Sequence, residues 1–466
     1  MVILALIVAG IGCVVALPYH VQIAAILSVT TFTSALIFPF LPGRPYLWEF
    51  AGLLAWSGLA VTFCFRQQHS GMRSMVRENR WLFLGILGYC IILIVTMCYR
   101  GFGLRVLGSE QMGGRFYFQQ LVCAVFPLLF AARPMTEKIL VRLFIIQCAM
   151  TATYLISDFA FSLAPRGFFF LLQFFELPND ALNFEGQVNR FGIRRFQSFY
   201  LLSTGLILVL LIKFQLRDFL SRRAFYLVPL SGLLFGIGLM SGHRYLSIIL
   251  GSTVLLCAYA QRFSTFKNNM IIGSAALLLL FFAYSFANHL PLAAQRAASF
   301  LPGIGVNQEA KADAAATLEA RRIMRRVGMD LAPQYFWVGR GFGQSTSADL
   351  STVWDRTGIT PLVNAGRFYN GFIGLLVNTG GFGTLFMLSF IGAGSMLAAR
   401  IIRHLRVNGC EDPFSRMCSV AASIWLANVI AFLFFHGDSE WAMKTFTLQA
   451  GLLLACDYHL KQRLKA

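Results

Sequence analysis

Residues 268–288 read NNMIIGSAALLLLFFAYSFAN, twenty-one positions without one charged side chain. A helix of that length crosses the ~30 Å hydrocarbon core of a bilayer, so the stretch is expected to be a transmembrane helix. The chain then changes character at once. Residues 289–368 are mostly polar and rich in arginine. Arg296, Arg321, Arg322, Arg325, Arg326, Arg340, Arg356 and Arg367 crowd around a Gly339-Arg340-Gly341-Phe342-Gly343 turn. A cluster of that sign suits an anionic ligand such as a phosphate.

Apolar runs recur near 2–17, 21–41, 46–65, 81–98, 116–132, 139–163, 196–214, 224–241, 245–260, 268–288, 371–399, 417–435 and 445–459. They give twelve or thirteen transmembrane helices. Composition agrees. Hydrophobic residues make up 57% of the chain and charged residues only 13%, and mean hydropathy is +0.66. These values exclude a water-soluble domain and imply an all-α polytopic membrane protein. The first run lacks a basic leader and a small-residue cleavage site, so it is expected to be a retained span. Three regions result: helices over 1–288, interrupted by a loop at about 164–195; a large loop over 289–368; and helices with a tail over 369–466.

The formal net charge of +19 would suit nucleic acid, but its distribution points elsewhere. Basic residues sit in short loops: Arg66, Arg73, Arg77 and Arg80; Arg133, Lys138 and Arg142; Lys213, Arg217, Arg222 and Arg223; Arg262 and Lys267; Arg400, Arg403, Arg406 and Arg416; Lys461, Arg463 and Lys465. Taken in order, these loops belong on one face, which the positive-inside rule makes cytoplasmic. The C-terminus is then inside and 289–368 outside. The ten cysteines lie in spans, at their ends or in the same basic loops, with no disulfide framework and no zinc spacing. Neither an Asp-x-Asp motif for a metal-bound nucleotide sugar nor a Walker loop occurs, so no metal, ATP or other cofactor is implied.

Within the large loop, 307–330 reads as an Ala-rich helix opening near Asn307. Arg321 and Arg325 would share one face of it, Arg322 and Arg326 another. Two further arginine groups belong near the exterior surface: Arg190, Arg194 and Arg195 before the span at 196, and His243-Arg244 in the tight Ser241-Gly242-His243-Arg244 turn between two spans. A boundary arginine is commonly a snorkelling side chain. Arg244 differs because the few residues between its flanking helices tie it to the protein surface.

After the loop comes Tyr369-Asn370, an aliphatic stretch, then Gly380 and Gly383. Together with the Ser241–Arg244 turn and the Gly339, Gly341, Gly343 segment, this order resembles the bacterial O-antigen ligase and polymerase family of integral membrane glycosyltransferases. The resemblance covers roughly 190–385. It sets Arg244 on that family's turn arginine, Arg194 or Arg195 on an arginine before an earlier span, and Asn370, Gly380 and Gly383 on its closing motif. One position departs: the histidine expected before Asn370 is Tyr369, which tilts the reading from ligase toward polymerase.

The resemblance implies a GT-C-like fold with a long, partly helical periplasmic loop, in a multi-pass protein of the cytoplasmic (inner) membrane. The implied donor is a polyprenyl-pyrophosphate-linked oligosaccharide, polymerised at the outer face of that membrane into a surface polysaccharide. Partners would be the lipid bilayer and a chain-length regulator or other assembly protein, with no nucleic acid. Arg194, Arg195, Arg244, Arg321, Arg322 and Arg325 would clamp the pyrophosphate. The acceptor hydroxyl needs a base; His243, His289, His436, Asp438 and Glu440 are candidates, with His436 and Glu440 leading and Tyr369 positioning the acceptor. Transfer of glycan to a lipid A core, or flipping of lipid-linked saccharide, are the alternatives. A flippase should show paired halves or broken helices in corresponding positions, and the sequence shows neither.

Overall fold

The apolar runs fold as helices in the computed structural model, which describes residues 19–41, 43–66, 68–103, 111–133, 135–163, 167–176, 196–263, 265–342, 344–345, 359–364, 366–435 and 437–464. In chain order the main elements are α1 (His20–Phe32), α2 (Leu47–Cys64), α3 (Arg80–Arg100), α4 (Gly114–Ala132), α5 (Glu137–Ser162), α6 (Gln197–Lys213), α7 (Ala224–Leu239) and α8 (Tyr245–Ala260). There follow α9 (Phe266–Phe286), α10 (Leu292–Ala298), α11 (Gln308–Leu331), α12 (Ile359–Asn364), α13 (Gly371–Asn408), α14 (Pro413–Phe435) and α15 (Ala442–Arg463). Among the described residues six of these, α2, α3, α4, α5, α13 and α14, are long and apolar enough to cross a membrane, and α1, α6, α7 and α8 are shorter apolar helices. A two-residue antiparallel pairing of Gln111–Met112 with Gln344–Ser345 joins the start of α4 to the large loop.

Small residues let the central helices approach closely. A Cβ on Gly85 or Gly88 of α3 would strike Phe390 or Phe386 of α13, and one on Gly394 of α13 would strike the Trp425 ring of α14. The core therefore centres on α3, α13, α14 and α15, with Phe390, Trp425 and Phe446 fully buried in it.

The two ends of the bundle differ in chemistry. At one, Lys461 pairs with Glu78 at 2.6 Å and Asp457 at 2.7 Å, Arg463 with Glu137 at 2.5 Å and Asp412 at 3.0 Å, and Arg400 with Asp457 at 3.4 Å. Arg416 donates to the Ile212 carbonyl at 2.7 Å, and Arg262 donates to the Arg406 and Val407 carbonyls. Burial would raise the Asp412 carboxyl, but hydrogen bonds from Arg463 and Ser415 hold it at about 2. The short basic loops thus meet at a single end. The 240–244 turn, α11, residues 366–370 and residues 437–441 share the other, joined by hydrogen bonds from Arg296 to the Gly242 carbonyl, from Arg325 to the Tyr369 and Phe435 carbonyls and from Arg367 to Glu440.

Candidate functional site

The site is organised by a break in a helix. Asn370 caps α13, its Oδ1 accepting the Ile373 N–H at 3.0 Å. Ten residues on, Gly380 adopts φ +73°, ψ −178°, a conformation open essentially to glycine alone, and the helical ladder is interrupted. The freed carbonyls of Val377 and Asn378 accept the N–H groups of Arg340 at 2.8 Å and Gly341 at 2.9 Å, while the Gly381 N–H donates to Phe336 at 2.6 Å. Gly339 must lack a side chain, since a Cβ there would run into the Asn378 carbonyl. The glycine turn of the loop and the break at Gly380 of α13 are therefore two halves of one junction. Arg100 reinforces it by donating to the carbonyls of Gly339 at 3.0 Å and Val338 at 3.2 Å, and the Tyr117 hydroxyl accepts the Phe342 N–H at 3.0 Å. Gly383 has a different task, packing against Thr379 and Ile92 of α3.

Two arginines of the loop's cluster serve as structural ties. Arg340 donates to the carbonyls of Val363 at 2.8 Å and Asn364 at 2.9 Å, at the C-terminal end of α12. Arg296 is buried against Asp313, a partner the sequence did not single out, and donates to Thr317 at 2.9 Å and the Gly242 carbonyl at 2.6 Å. It thereby pins the 240–244 turn to α11.

Arg321, Arg325 and Arg244 remain directed to the site. The Arg321 guanidinium lies over the Tyr369 ring at 5.2 Å. Among the described residues it makes no hydrogen bond or ion pair. Burial lowers its pKa, with Arg296 and Arg325 pushing the same way; burial, Arg296 and Arg321 likewise lower that of Arg244, which donates to the Ser299 hydroxyl at 2.9 Å. Arg325 donates to the carbonyls of Tyr369 at 3.3 Å and Phe435 at 3.2 Å, leaving its Nε buried without a partner. Arg322 faces away: its side chain is 72% exposed and 3.9 Å from Glu319. Arg326 is exposed as well. Successive side chains on a helix diverge, so only the 321/325 face reaches the site.

Opposite these cations stand two carboxyl groups. Arg367 holds Glu440 Oε1 at 2.8 Å, and the Glu440 side chain is only 2% exposed. Its Oε2 is buried without a hydrogen bond of normal geometry. Burial, opposed by Arg367 and reinforced by Asp438, pushes the Glu440 carboxyl up to about 7. Asp438 is also raised by burial, against the pull of Arg367 and Arg321, and accepts the Tyr369 backbone N–H. Tyr369 itself has φ +49°, a rare value for a side chain of that size. Its phenol is raised by burial and by Asp438. The Asn378 amide closes the site from below, donating to Ser439 at 2.7 Å and the Gly366 carbonyl at 3.0 Å.

No protein-family model matches the chain, and no curated protein matches it. The remaining expected residues are placed as follows. The His243 ring packs tilted against that of Tyr200 at 5.7 Å, and His289 is exposed beside Phe286. Arg194, Arg195, Gly343, Arg356 and His436 lie outside the described residues. No group of three or more His, Cys, Asp or Glu side chains suited to a metal occurs among the described residues. The arrangement offers two chemical capacities side by side: guanidinium groups with unused donors, and a carboxyl group that titrates near neutrality.

Proposed function

We propose that the protein is a metal-independent membrane glycosyltransferase that polymerises polyprenyl-pyrophosphate-linked oligosaccharide repeat units at the outer face of the cytoplasmic membrane. In this reading the six long helices, the four shorter ones, α9 and α15 are crossings, the run at 2–17 lies outside the described residues, and the arginine end is the exterior one. The observation that carries the proposal is the half-buried Arg321 guanidinium, set among Arg244, Arg296 and Arg325 and facing Asp438.

The chemistry follows from the charges. The bond between the anomeric carbon and the pyrophosphate oxygen breaks, and its electron pair leaves with the pyrophosphate. Arg244, Arg321 and Arg325, held before the reaction begins, stabilise the developing negative charge, an effect of about 3 kcal/mol per well-placed donor. The acceptor hydroxyl oxygen bonds the anomeric carbon, and its proton passes to Glu440 Oε2. Arg367 orients that carboxylate through Oε1, while Tyr369 positions the acceptor by a hydrogen bond without taking its proton. The decisive experiment incubates the purified chain in detergent with purified lipid-linked repeat units and resolves the products by size. A ladder of lengthened glycans on the lipid is expected. Unchanged substrate, with the same preparation binding polyprenyl pyrophosphate, would refute transfer.

A further inference from the structure

A pocket of about 190 Å³ lies between α5, α6, α14 and α15, in the half of the bundle nearer the arginine end. Its walls include Gln147, Thr151, Tyr200, Thr204, Asn428 and Gln449, and no charged side chain lines it among the described residues. Three carboxamides converging inside a membrane bundle are unusual enough to ask for a reason. Two are incompletely satisfied: Oε1 of Gln147 and Oε1 of Gln449 are buried with no hydrogen-bond partner. Thr151 and Thr204 spend their hydroxyl protons on the carbonyls of Cys148 at 2.6 Å and Tyr200 at 2.8 Å, so toward the pocket they offer acceptor lone pairs. Each carboxamide also carries an N–H2 group, so the pocket offers both donors and acceptors, and charge is absent among the described residues.

The ligand that fits is therefore neutral and able both to donate and to accept hydrogen bonds. A hydroxyl both donates and accepts, so it satisfies the glutamines whichever way their amides are turned. An isoprenyl or acyl chain would leave both carboxamides unpaired in an apolar surround. The position is also informative. The Tyr200 ring, on the pocket wall, packs 5.7 Å from the His243 ring, next in sequence to Arg244. We propose that this pocket binds a neutral saccharide ring; that the ring is the acceptor of the transfer rests on the function proposed above.

The test uses saturation-transfer NMR on the purified chain in detergent, with the methyl glycosides of glucose, galactose, mannose, rhamnose and N-acetylglucosamine as probes and farnesol as the lipid control. At least one glycoside is expected to bind saturably, with affinity about tenfold weaker in Gln147→Leu and in Gln449→Leu and unchanged in Arg321→Ala. Thr204→Val, which conserves shape, supplies the same comparison should the leucine variants fold poorly. No glycoside signal in the wild type, or a signal that all these pocket variants retain, overturns the proposal. So does farnesol binding that the leucine variants strengthen, which would make the pocket a lipid-chain slot. Polyprenyl pyrophosphate binding, measured on the same preparations, should survive in the leucine variants. Its absence from the wild type, with glycoside binding intact, would count against the transferase and leave the pocket standing.

Discussion

The Gly341 N–H donates to the Asn378 carbonyl at 2.9 Å across the point where α13 breaks. An unpaired carbonyl left by a broken helix costs free energy if it is buried, so the large loop is needed to complete the helix it docks against. The same Asn378 side chain reaches Ser439. Loop, broken helix and the Glu440 segment are thus fixed relative to one another by one residue.

This junction makes a stability prediction. Gly380→Ala would place a Cβ 2.9 Å from the Phe336 carbonyl oxygen, at a backbone conformation foreign to alanine. It should lower stability by about 1–3 kcal/mol, seen as a reduced melting temperature in detergent. Gly392→Ala, on the same helix with open space around it, should cause no comparable loss. Equal melting temperatures for both variants would show that the break is not rigid.

Arginine identity supplies the second test. Arg321→Ala should weaken polyprenyl pyrophosphate binding by about 10- to 100-fold, the range for losing hydrogen bonds to a charged group. Arg322→Ala, on the exposed face of α11, should leave it within about twofold. Arg244→Lys should impair polymer formation severely although the charge is kept, because lysine lacks the planar fork. Isothermal binding and product ladders on matched preparations decide both.

Much of this was legible in the sequence, for reasons that can be named. Hydropathy marked the helices, and the spacing of basic loops sorted them onto one end, since both signals are local and repeated. The start of α11 at Asn307 was legible from the Ala-rich run behind it, although the Asn307 side chain makes no capping hydrogen bond. What stayed hidden was pairing at long sequence separation: Arg296 with Asp313, Arg367 with Glu440, Arg340 with the end of α12. A guanidinium looks the same in sequence whether it is spent on backbone carbonyls or open to a ligand. The two faces of α11 were visible, but which one turned inward was decided by Tyr369 and Phe435, residues 44 and 110 positions away from Arg325.

Orientation is the third test. Met329 is 53% exposed at the arginine end and Val407 is 70% exposed at the basic end. In intact spheroplasts Met329→Cys should react with a membrane-impermeant thiol reagent, whereas Val407→Cys should react only after the membrane is opened. Labelling in the reverse order would place the arginine end in the cytoplasm and remove the access to an exterior lipid-linked donor that the proposed function requires.

The last test concerns the proton. Glu440 sits at about 7 rather than at its ordinary 4.5, so as a base it is competent only when the pH rises through that value. Turnover at saturating donor should climb about tenfold per pH unit below 7 and level off above it. The sign for stability is opposite. A carboxyl raised on folding contributes stability that is complete below about 4.5 and lost as pH rises through about 7, so wild-type melting temperature should fall across that window. Glu440→Gln should flatten both profiles and lower polymerisation by ~10²-fold, the low end for losing a general base. Tyr369→Phe should retain substantial activity with the wild-type pH profile, because burial and Asp438 raise its phenol further from the range of a useful base. If instead Tyr369→Phe abolishes turnover while Glu440→Gln polymerises normally, the tyrosine carries the essential contact and the carboxyl group serves only to hold Arg367.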